Sequence, residues 1–181
     1  MKRLERAEKA KKLAEMLFPA EEWVQLTENI FVAKTRLPER QKEPEKWDKE
    51  MSQAEILTSR GSVAYFLPEE EQEKGGKHVD TVIDGEIIEM KTITGNRNTL
   101  GKEFQDAYKQ GQSVIQEHPD VQEHSVFIRL FTDLPVESVK AKIAGELKNR
   151  ADSGRFICYF ENINKLFSWS FDELRAIIGQ K

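Results

Sequence analysis

The chain has 181 residues, of which 38% are hydrophobic and 33% are charged, and its formal net charge is −4. This length and apolar content suit one globular domain, with or without a small extension. Most nucleic-acid-binding proteins are basic because phosphate neutralisation dominates their affinity, so this net charge excludes a uniformly basic surface and leaves only a local basic patch.

The N-terminal segment is predicted to contain one helix and one hairpin. Residues 2–18 show the helical spacing of leucine and alanine, and residues 22–34 form two short β-rich runs around a polar turn. The charged segment 36–47 contains two prolines and lacks periodicity, so we interpret it as a connecting loop. We therefore predict an N-terminal helix–hairpin extension at residues 1–47 and a second domain at residues 48–181.

The first part of this second domain is predicted to form a helix, a buried strand, a hairpin, a helix and a strand. The ranges are 48–60, 63–67, 78–93, 100–117 and 125–131. The hairpin has the clearest signal, because Asp84-Gly85 between two β-rich runs is typical of a two-residue turn. An acidic run at residues 69–73 lies in the loop before it.

The C-terminal part is predicted to add a helix at residues 135–149, a hairpin at residues 156–169 and a last helix. Ser170 and Glu173 have the spacing of a capping box at the start of that helix. The predicted fold class is α/β with a mixed (α+β) sheet. It has a core of order αβββαβ, an extra C-terminal αββα and the N-terminal helix–hairpin extension.

The central hairpin is predicted to bring ionisable side chains together. With the Asp-Gly pair as its turn, the register sets Asp80 opposite Glu89 and His78 opposite Lys91. Because side chains alternate along a strand, all four share one face. Directly opposed residues have Cβ atoms about 4.5–5.5 Å apart, which lets two carboxylates hold one hard cation such as Mg²⁺.

The surroundings of this charged group are apolar on both faces of the hairpin, as in an interior hairpin. Two carboxylates forced together there would repel each other, and a metal ion would remove that penalty. Lys91 would then supply charge for a scissile phosphate or help to activate a water molecule. The alternative is a solvated hairpin with a diagonal salt bridge between Asp80 and Lys91.

The pattern Asp80 … Glu89-Met90-Lys91 resembles the signature of the PD-(D/E)xK nuclease superfamily. The predicted element order over residues 48–131 is also that of this superfamily, which implies a restriction-endonuclease-like core. The resemblance implies that Asp80 and Glu89 are metal ligands and that Lys91 is the catalytic lysine. It also implies Mg²⁺ or Mn²⁺ as cofactor, with Zn²⁺ as a further candidate.

A narrower resemblance extends over about residues 48–181, to the C-terminal nuclease domains of contact-dependent inhibition toxins. The segments that carry it are 54–61, 66–69, 78–85, 89–92 and 107–110. It implies a nucleic-acid substrate, with RNA or tRNA favoured over DNA, and a cognate immunity protein as partner. Gln110 would be a supporting catalytic residue.

The first helix departs from the pattern of these toxins. Many members carry a glutamate at the position of Ser52, and Glu55 lies three residues further on, on about the same helix face. Glu55 is therefore a candidate replacement as a metal ligand.

Further candidates lie around the hairpin. Arg97, Lys102 and Lys109 are predicted to form a substrate-binding rim for phosphate, with a solvated helix face as the alternative. His78 is a candidate catalytic residue. Trp47 is interpreted as a core residue, with an exposed stacking residue as the alternative, and His124 is interpreted as a surface histidine.

The sequence leaves three functions open. The first is a metal-dependent endonuclease acting on RNA, tRNA or DNA. The second is a metal-independent ribonuclease toxin with a barnase-like or RelE-like fold, in which Lys91, His78 and Arg97 do the acid–base and charge work. The third is a catalytically degenerate nuclease fold that serves as a binding module in a phage or mobile element.

The expected location follows from features that the chain lacks. The basic N-terminus is not followed by an apolar stretch, so we predict no signal peptide, and no apolar run approaches the roughly 20 residues of a membrane span. The single cysteine, Cys158, lies in an apolar run typical of a core. We predict a cytoplasmic protein, or one delivered into a target-cell cytoplasm, with no membrane partner.

Overall fold

The computed structural model describes residues 2–69 and 79–178. By its internal contacts the chain divides into two units, Met1–Ile88 and Glu89–Lys181. This division differs from the predicted one at residues 1–47 and 48–181. No helix in the described ranges has both the length and the apolar content needed to cross a lipid bilayer.

The first unit begins with a helix and an antiparallel strand pair and ends in a hairpin. Its elements are α1 (Lys2–Leu17), β1 (Trp23–Gln25), β2 (Ile30–Ala33), a 3₁₀ turn at Lys34–Arg36, α2 (Glu39–Lys42), α3 (Pro44–Thr58), β3 (Ala64–Phe66), β4 (Thr81–Ile83) and the start of β5 (Glu86–Ile93). Strand β2 pairs antiparallel with β1 and parallel with β3, and β4 pairs antiparallel with both β3 and β5. The segments before and after residue 47 therefore contribute strands to the same sheet.

The interpretation of residues 36–47 as a loop is wrong. The segment contains the end of the 3₁₀ turn, α2 and the first turn of α3. Pro44 occupies the first turn of α3, where a proline is tolerated because its missing N–H has no intrahelical partner there. Trp47 and Leu57 are buried along the inner face of this helix.

The turn of the central hairpin forms as predicted. Asp84 and Gly85 both have positive φ angles, 54° and 92°, as a two-residue turn of this type requires. The predicted register is confirmed for the pairs from Ile83–Glu86 to Thr81–Ile88. A Cβ atom on Gly85 would lie 3.0 Å from the Cβ atom of Lys9, so the glycine also allows α1 to approach the turn closely.

The second unit alternates strands and helices around one core. It contains the end of β5, α4 (Arg97–Glu117), β6 (His124–Leu130), α5 (Val136–Leu147), β7 (Arg155–Phe160), β8 (Lys165–Ser170) and α6 (Phe171–Ala176). Strand β6 pairs parallel with β7, and β7 pairs antiparallel with β8. The predicted capping box of Ser170 and Glu173 is confirmed at α6, and Cys158 is buried as predicted.

The fold class is mixed α/β, as predicted. From α3 onward the described elements follow the expected order of helices and strands. The core of the second unit brings helices α4, α5 and α6 against strands β6 and β7. A nuclease-superfamily core remains a prediction.

Candidate functional site

Glu89 and Lys91 lie two residues apart on β5, so their side chains project from the same face of the strand. Glu89 is only 1% exposed. The Lys91 Nζ atom lies 2.5 Å from Glu89 Oε1 and donates a hydrogen bond to it. The second unit thus contains a buried carboxylate with an ammonium group beside it, and the two residues share a strand face as predicted.

Asp80 belongs to the first unit and lies just before β4. Its backbone carbonyl accepts a hydrogen bond from the N–H group of Leu67, with an N–O distance of 3.1 Å. Its carboxylate interacts electrostatically with Glu50, a buried residue of α3. Burial raises the pKa of Glu50 and Asp80 adds to this effect, whereas Arg36 opposes it, and the net shift is upward. The charges of Glu50 and Asp80 in this unit therefore interact.

Arg36 is the counter-ion of Glu50, the residue of this pair that lies on α3. It is 2% exposed and lies 2.6 Å from Glu50, 2.9 Å from Glu39 and 3.1 Å from Glu69 through its Nη2 atom. Its Nη1 atom donates to the carbonyl oxygen of Leu67 over 3.4 Å. Burial would lower the pKa of Arg36, but Glu50 and Glu39 outweigh it and raise the pKa, so the guanidinium stays charged.

Sequence reasoning missed both Arg36 and Glu50. A signal for Glu50 was available: once α3 begins at Pro44, residues 47, 50, 54 and 57 have helical spacing and share its inner face. Glu55, the predicted replacement ligand, is exposed, whereas Glu50, also on α3, is buried and interacts electrostatically with Asp80. The spacing of Arg36 and Glu39 is local, but the other two carboxylates around Arg36, Glu50 and Glu69, come from separate parts of the chain, so no sequence pattern marks this cluster.

The other predicted site residues differ in how far their side chains are exposed. Gln110 is half-buried on α4, whereas Arg97, Lys102 and Lys109 are exposed on that helix, and these three form no ion pair within residues 2–69 and 79–178. His78 lies outside the described residues. Trp47 is 5% exposed, so its interpretation as a core residue is confirmed and the alternative of an exposed stacking residue is wrong.

The second unit contains a further polar cluster that the sequence did not reveal. Asp152 Oδ2 accepts hydrogen bonds from the hydroxyl of Tyr108 at 2.5 Å and from Nε2 of Gln112 at 3.1 Å, and lies 3.8 Å from His124 Nε2. Burial and the bond to Asp152 raise the pKa of Tyr108. His124 is fully buried, so its interpretation as a surface histidine is wrong.

The donor chemistry of the predicted site fits a hard cation, because carboxylate oxygens are the ligands that Mg²⁺ and Mn²⁺ prefer. Within the part of the chain that the structure describes, no group of three or more His, Cys, Asp or Glu side chains is arranged to hold a metal ion. Mg²⁺ is commonly held by one or two carboxylates together with substrate phosphates and water.

Comparisons with protein-family models, curated proteins and solved structures found no match for this chain. The function proposed below therefore rests on the residues and geometry of the chain itself, together with the resemblance of its motif.

Proposed function

We propose that this protein is a metal-dependent endonuclease that hydrolyses phosphodiester bonds in nucleic acid, with RNA or tRNA favoured. Asp80 and Glu89 would hold the cation, and Lys91 would be the catalytic lysine. The observation that carries the proposal is the burial of Glu89 beside Lys91. In a toxin-like role, a cognate immunity protein would be its partner.

A buried carboxylate supports this function better than it supports a structural salt bridge. An exposed ion pair requires little desolvation free energy, because both groups stay hydrated. The Glu89 carboxylate is 1% exposed and has lost most of its hydration, which is costly. Buried, charge-coupled groups of this kind are concentrated at functional sites. The burial of Glu89 argues against the solvated-hairpin alternative for this residue.

The proposed chemistry divides between the carboxylates and the lysine. A bound Mg²⁺ or Mn²⁺ would polarise the phosphoryl group and lower the pKa of a bound water molecule. Lys91, whose side chain is 25% exposed, can donate to a phosphate oxygen and stabilise the negative charge that develops there. Glu89 holds the Lys91 ammonium group in position through their hydrogen bond.

The substrate would be held by basic side chains on α4. Arg97, Lys102 and Lys109 are exposed on this one helix, and cationic side chains of this kind are common phosphate contacts. Such a local set is compatible with a net charge of −4.

The test is a cleavage assay on total tRNA and, separately, on plasmid DNA, with Mg²⁺ or Mn²⁺ and with EDTA. We expect cleavage that requires the metal and that falls at least about a hundredfold in Lys91→Ala. Lys148→Ala, which removes an exposed lysine just after α5, is the matched control and should retain activity. Thermal unfolding of each variant separates lost chemistry from lost folding.

Two outcomes would contradict the proposal. RNA cleavage that persists in EDTA would instead indicate the metal-independent ribonuclease. Absence of cleavage of either substrate by the folded protein would favour the binding module.

A further inference from the structure

The sheet of the second unit has two faces, and helices α4, α5 and α6 pack against one of them. The buried residues of β6 and β7 that join this helical core are Val126, Ile128, Leu130, Phe156, Cys158 and Phe160. Because side chains alternate along a strand, Arg129 and Tyr159 project from the opposite face. They are direct partners in the parallel pairing of β6 with β7, so the two residues lie side by side.

Phe131 extends this row just beyond the end of β6. It is 42% exposed, and among the described residues it is the only aromatic one of the large exposed hydrophobic side chains. The guanidinium carbon of Arg129 lies 4.9 Å from the centre of the Phe131 ring, so both side chains are on the same face. The Phe131 N–H group donates to the carbonyl oxygen of Ile93 over 2.8 Å. The residue is therefore tied to its neighbours while a large part of it remains in water.

The neighbours of Phe131 on this face are held in place as well. Arg129 forms an ion pair with Glu161, which lies in the 3₁₀ turn Glu161–Ile163 after β7. The hydroxyl of Tyr159, a partly exposed residue, donates a hydrogen bond to Asn164 Oδ1. Side chains that are already ordered lose little conformational entropy when a ligand binds. Phe131, Arg129 and Tyr159 thus form a preorganised patch, which we call the aromatic surface.

The strands around the aromatic surface are locally basic. Residues 124–131 and 155–170 contain Arg129, Arg155 and Lys165 but only one acidic residue, Glu161. The whole chain, by contrast, has 28 basic and 32 acidic residues. Arg155 and Lys165 are exposed, and Arg155 lies four residues before Tyr159 on β7, so it projects from the same face. A local excess of positive charge in an acidic chain favours an anionic ligand.

We propose that the aromatic surface binds an unpaired stretch of RNA, with bases stacked on Phe131 and Tyr159 and with phosphates at Arg155 and Lys165. Every base has a π-face that can stack on an aromatic ring, and a sheet face that carries such rings is an established means of binding single-stranded RNA. Bases within a duplex are stacked on one another and cannot reach these rings. The inference rests on the proposed function, because it takes RNA as the substrate, and it narrows that substrate to unpaired segments.

The experiment measures the binding of fluorescein-labelled oligoadenylate to the full chain by fluorescence anisotropy, in EDTA to prevent metal-dependent cleavage. Phe131→Ala should weaken the affinity about tenfold, which is the usual effect of losing one base–aromatic stack. Phe131→Leu keeps the apolar bulk without the ring and should weaken the affinity similarly. Phe131→Trp keeps a ring and should stay within about threefold of the unchanged protein. Since none of these substitutions alters a charge, the salt dependence of binding should stay constant.

The controls separate stacking from phosphate contacts and from general surface effects. Leu4→Ala removes an apolar side chain of the first unit that is 72% exposed, and it should leave the affinity unchanged. An oligomer of the same length that lacks bases at its central positions keeps every phosphate, as does a duplex of oligoadenylate with oligouridylate. Each of these should bind Phe131→Ala and the unchanged protein equally well. Thermal unfolding shows whether each variant is folded.

The results decide the inference separately from the nuclease function. Weaker oligoadenylate binding by Phe131→Ala and Phe131→Leu, with base-free and duplex binding unchanged, supports it. Unchanged oligoadenylate binding by Phe131→Ala overturns it, as does an equal loss for the base-free oligomer or a failure of the unchanged protein to bind oligoadenylate. A loss of self-association in Phe131→Ala, measured by sedimentation, with no change in RNA affinity would assign the surface to a second copy of the chain and would also overturn it. A protein that binds oligoadenylate through Phe131 but cleaves no nucleic acid would refute the nuclease function and leave the aromatic surface intact.

Discussion

Gly111 shows how a single residue determines the packing of the second unit. It lies on the buried face of α4 against the ring of His124, where a Cβ atom would come within 2.4 Å of Nδ1. The ring cannot move aside easily, because the rings of Tyr108 and Phe171 lie 4.7 Å and 5.6 Å from it, centre to centre. The glycine therefore costs α4 some helix propensity but leaves space for a fully buried histidine.

We expect Gly111→Ala to lower the free energy of unfolding by about 1–3 kcal/mol, since overpacking outweighs the better helix propensity of alanine. Gly145→Ala on α5 is the matched control, because a Cβ atom there meets nothing within 4 Å. It should be neutral or stabilising by up to about 1 kcal/mol. Urea denaturation measures both, and equal effects of the two substitutions would contradict the steric explanation.

At the scale of elements, helices α4 and α5 are joined by a carboxylate. Glu146 on α5 accepts hydrogen bonds from Lys142, at 2.5 Å, and from Gln105 on α4. Burial would raise the pKa of Glu146, but Lys142, Gln105 and Arg150 outweigh this effect and lower it. The ionised form is therefore favoured in the folded protein.

The sign of the pH dependence follows from this lowered pKa. A carboxylate whose pKa is lower in the folded than in the unfolded state stabilises the folded protein at pH values above its ordinary pKa of 4.5. This contribution is lost as the pH falls through the lowered pKa. Glu146→Gln should therefore cost about 1 kcal/mol at pH 7 and progressively less in acid. Thermal unfolding between pH 7 and pH 3 measures the difference, and a constant difference would show that the charge of Glu146 is not responsible.

For the whole molecule, the acidic net charge constrains how nucleic acid could bind. The chain has a formal charge of −4 and a pI near 5.6. Nucleic-acid binding would therefore depend on a few basic side chains and not on the overall electrostatic field of the protein. Arg97, Lys102 and Lys109 on α4 are the exposed set that we assign to the substrate. Each phosphate contact that they make should release counter-ions and add to the salt dependence of binding.

We therefore expect the triple variant Arg97→Gln, Lys102→Gln and Lys109→Gln to reduce the slope of log affinity against log salt concentration by about 2 to 3. Fluorescence anisotropy with labelled tRNA in EDTA measures binding without cleavage. The control Lys148→Gln with Lys165→Gln removes exposed lysines elsewhere in the second unit and should change the slope little. An unchanged slope in the triple variant would exclude α4 as the phosphate-binding rim.

Several features could be predicted because they depend only on residues that are close together in the sequence. The Asp84-Gly85 turn requires two positive φ angles, and few residue pairs adopt them, so the turn and its register could be predicted from the sequence. The capping box at Ser170 likewise depends on residues three positions apart. Glu89 and Lys91 share a face because side chains alternate along any strand.

The tertiary structure alone decided which distant polar groups contact one another. Arg36 draws its partners from α2, α3 and the segment after β3, and Asp152 gathers Tyr108, Gln112 and His124 from distant positions. No local pattern encodes such groupings, since they arise when elements distant in sequence pack and must satisfy one another's charges and hydrogen bonds. The sequence by itself determined the turns, the strand faces and the Glu-x-Lys motif, whereas long-range packing determined that Glu50 is buried and Glu55 is exposed.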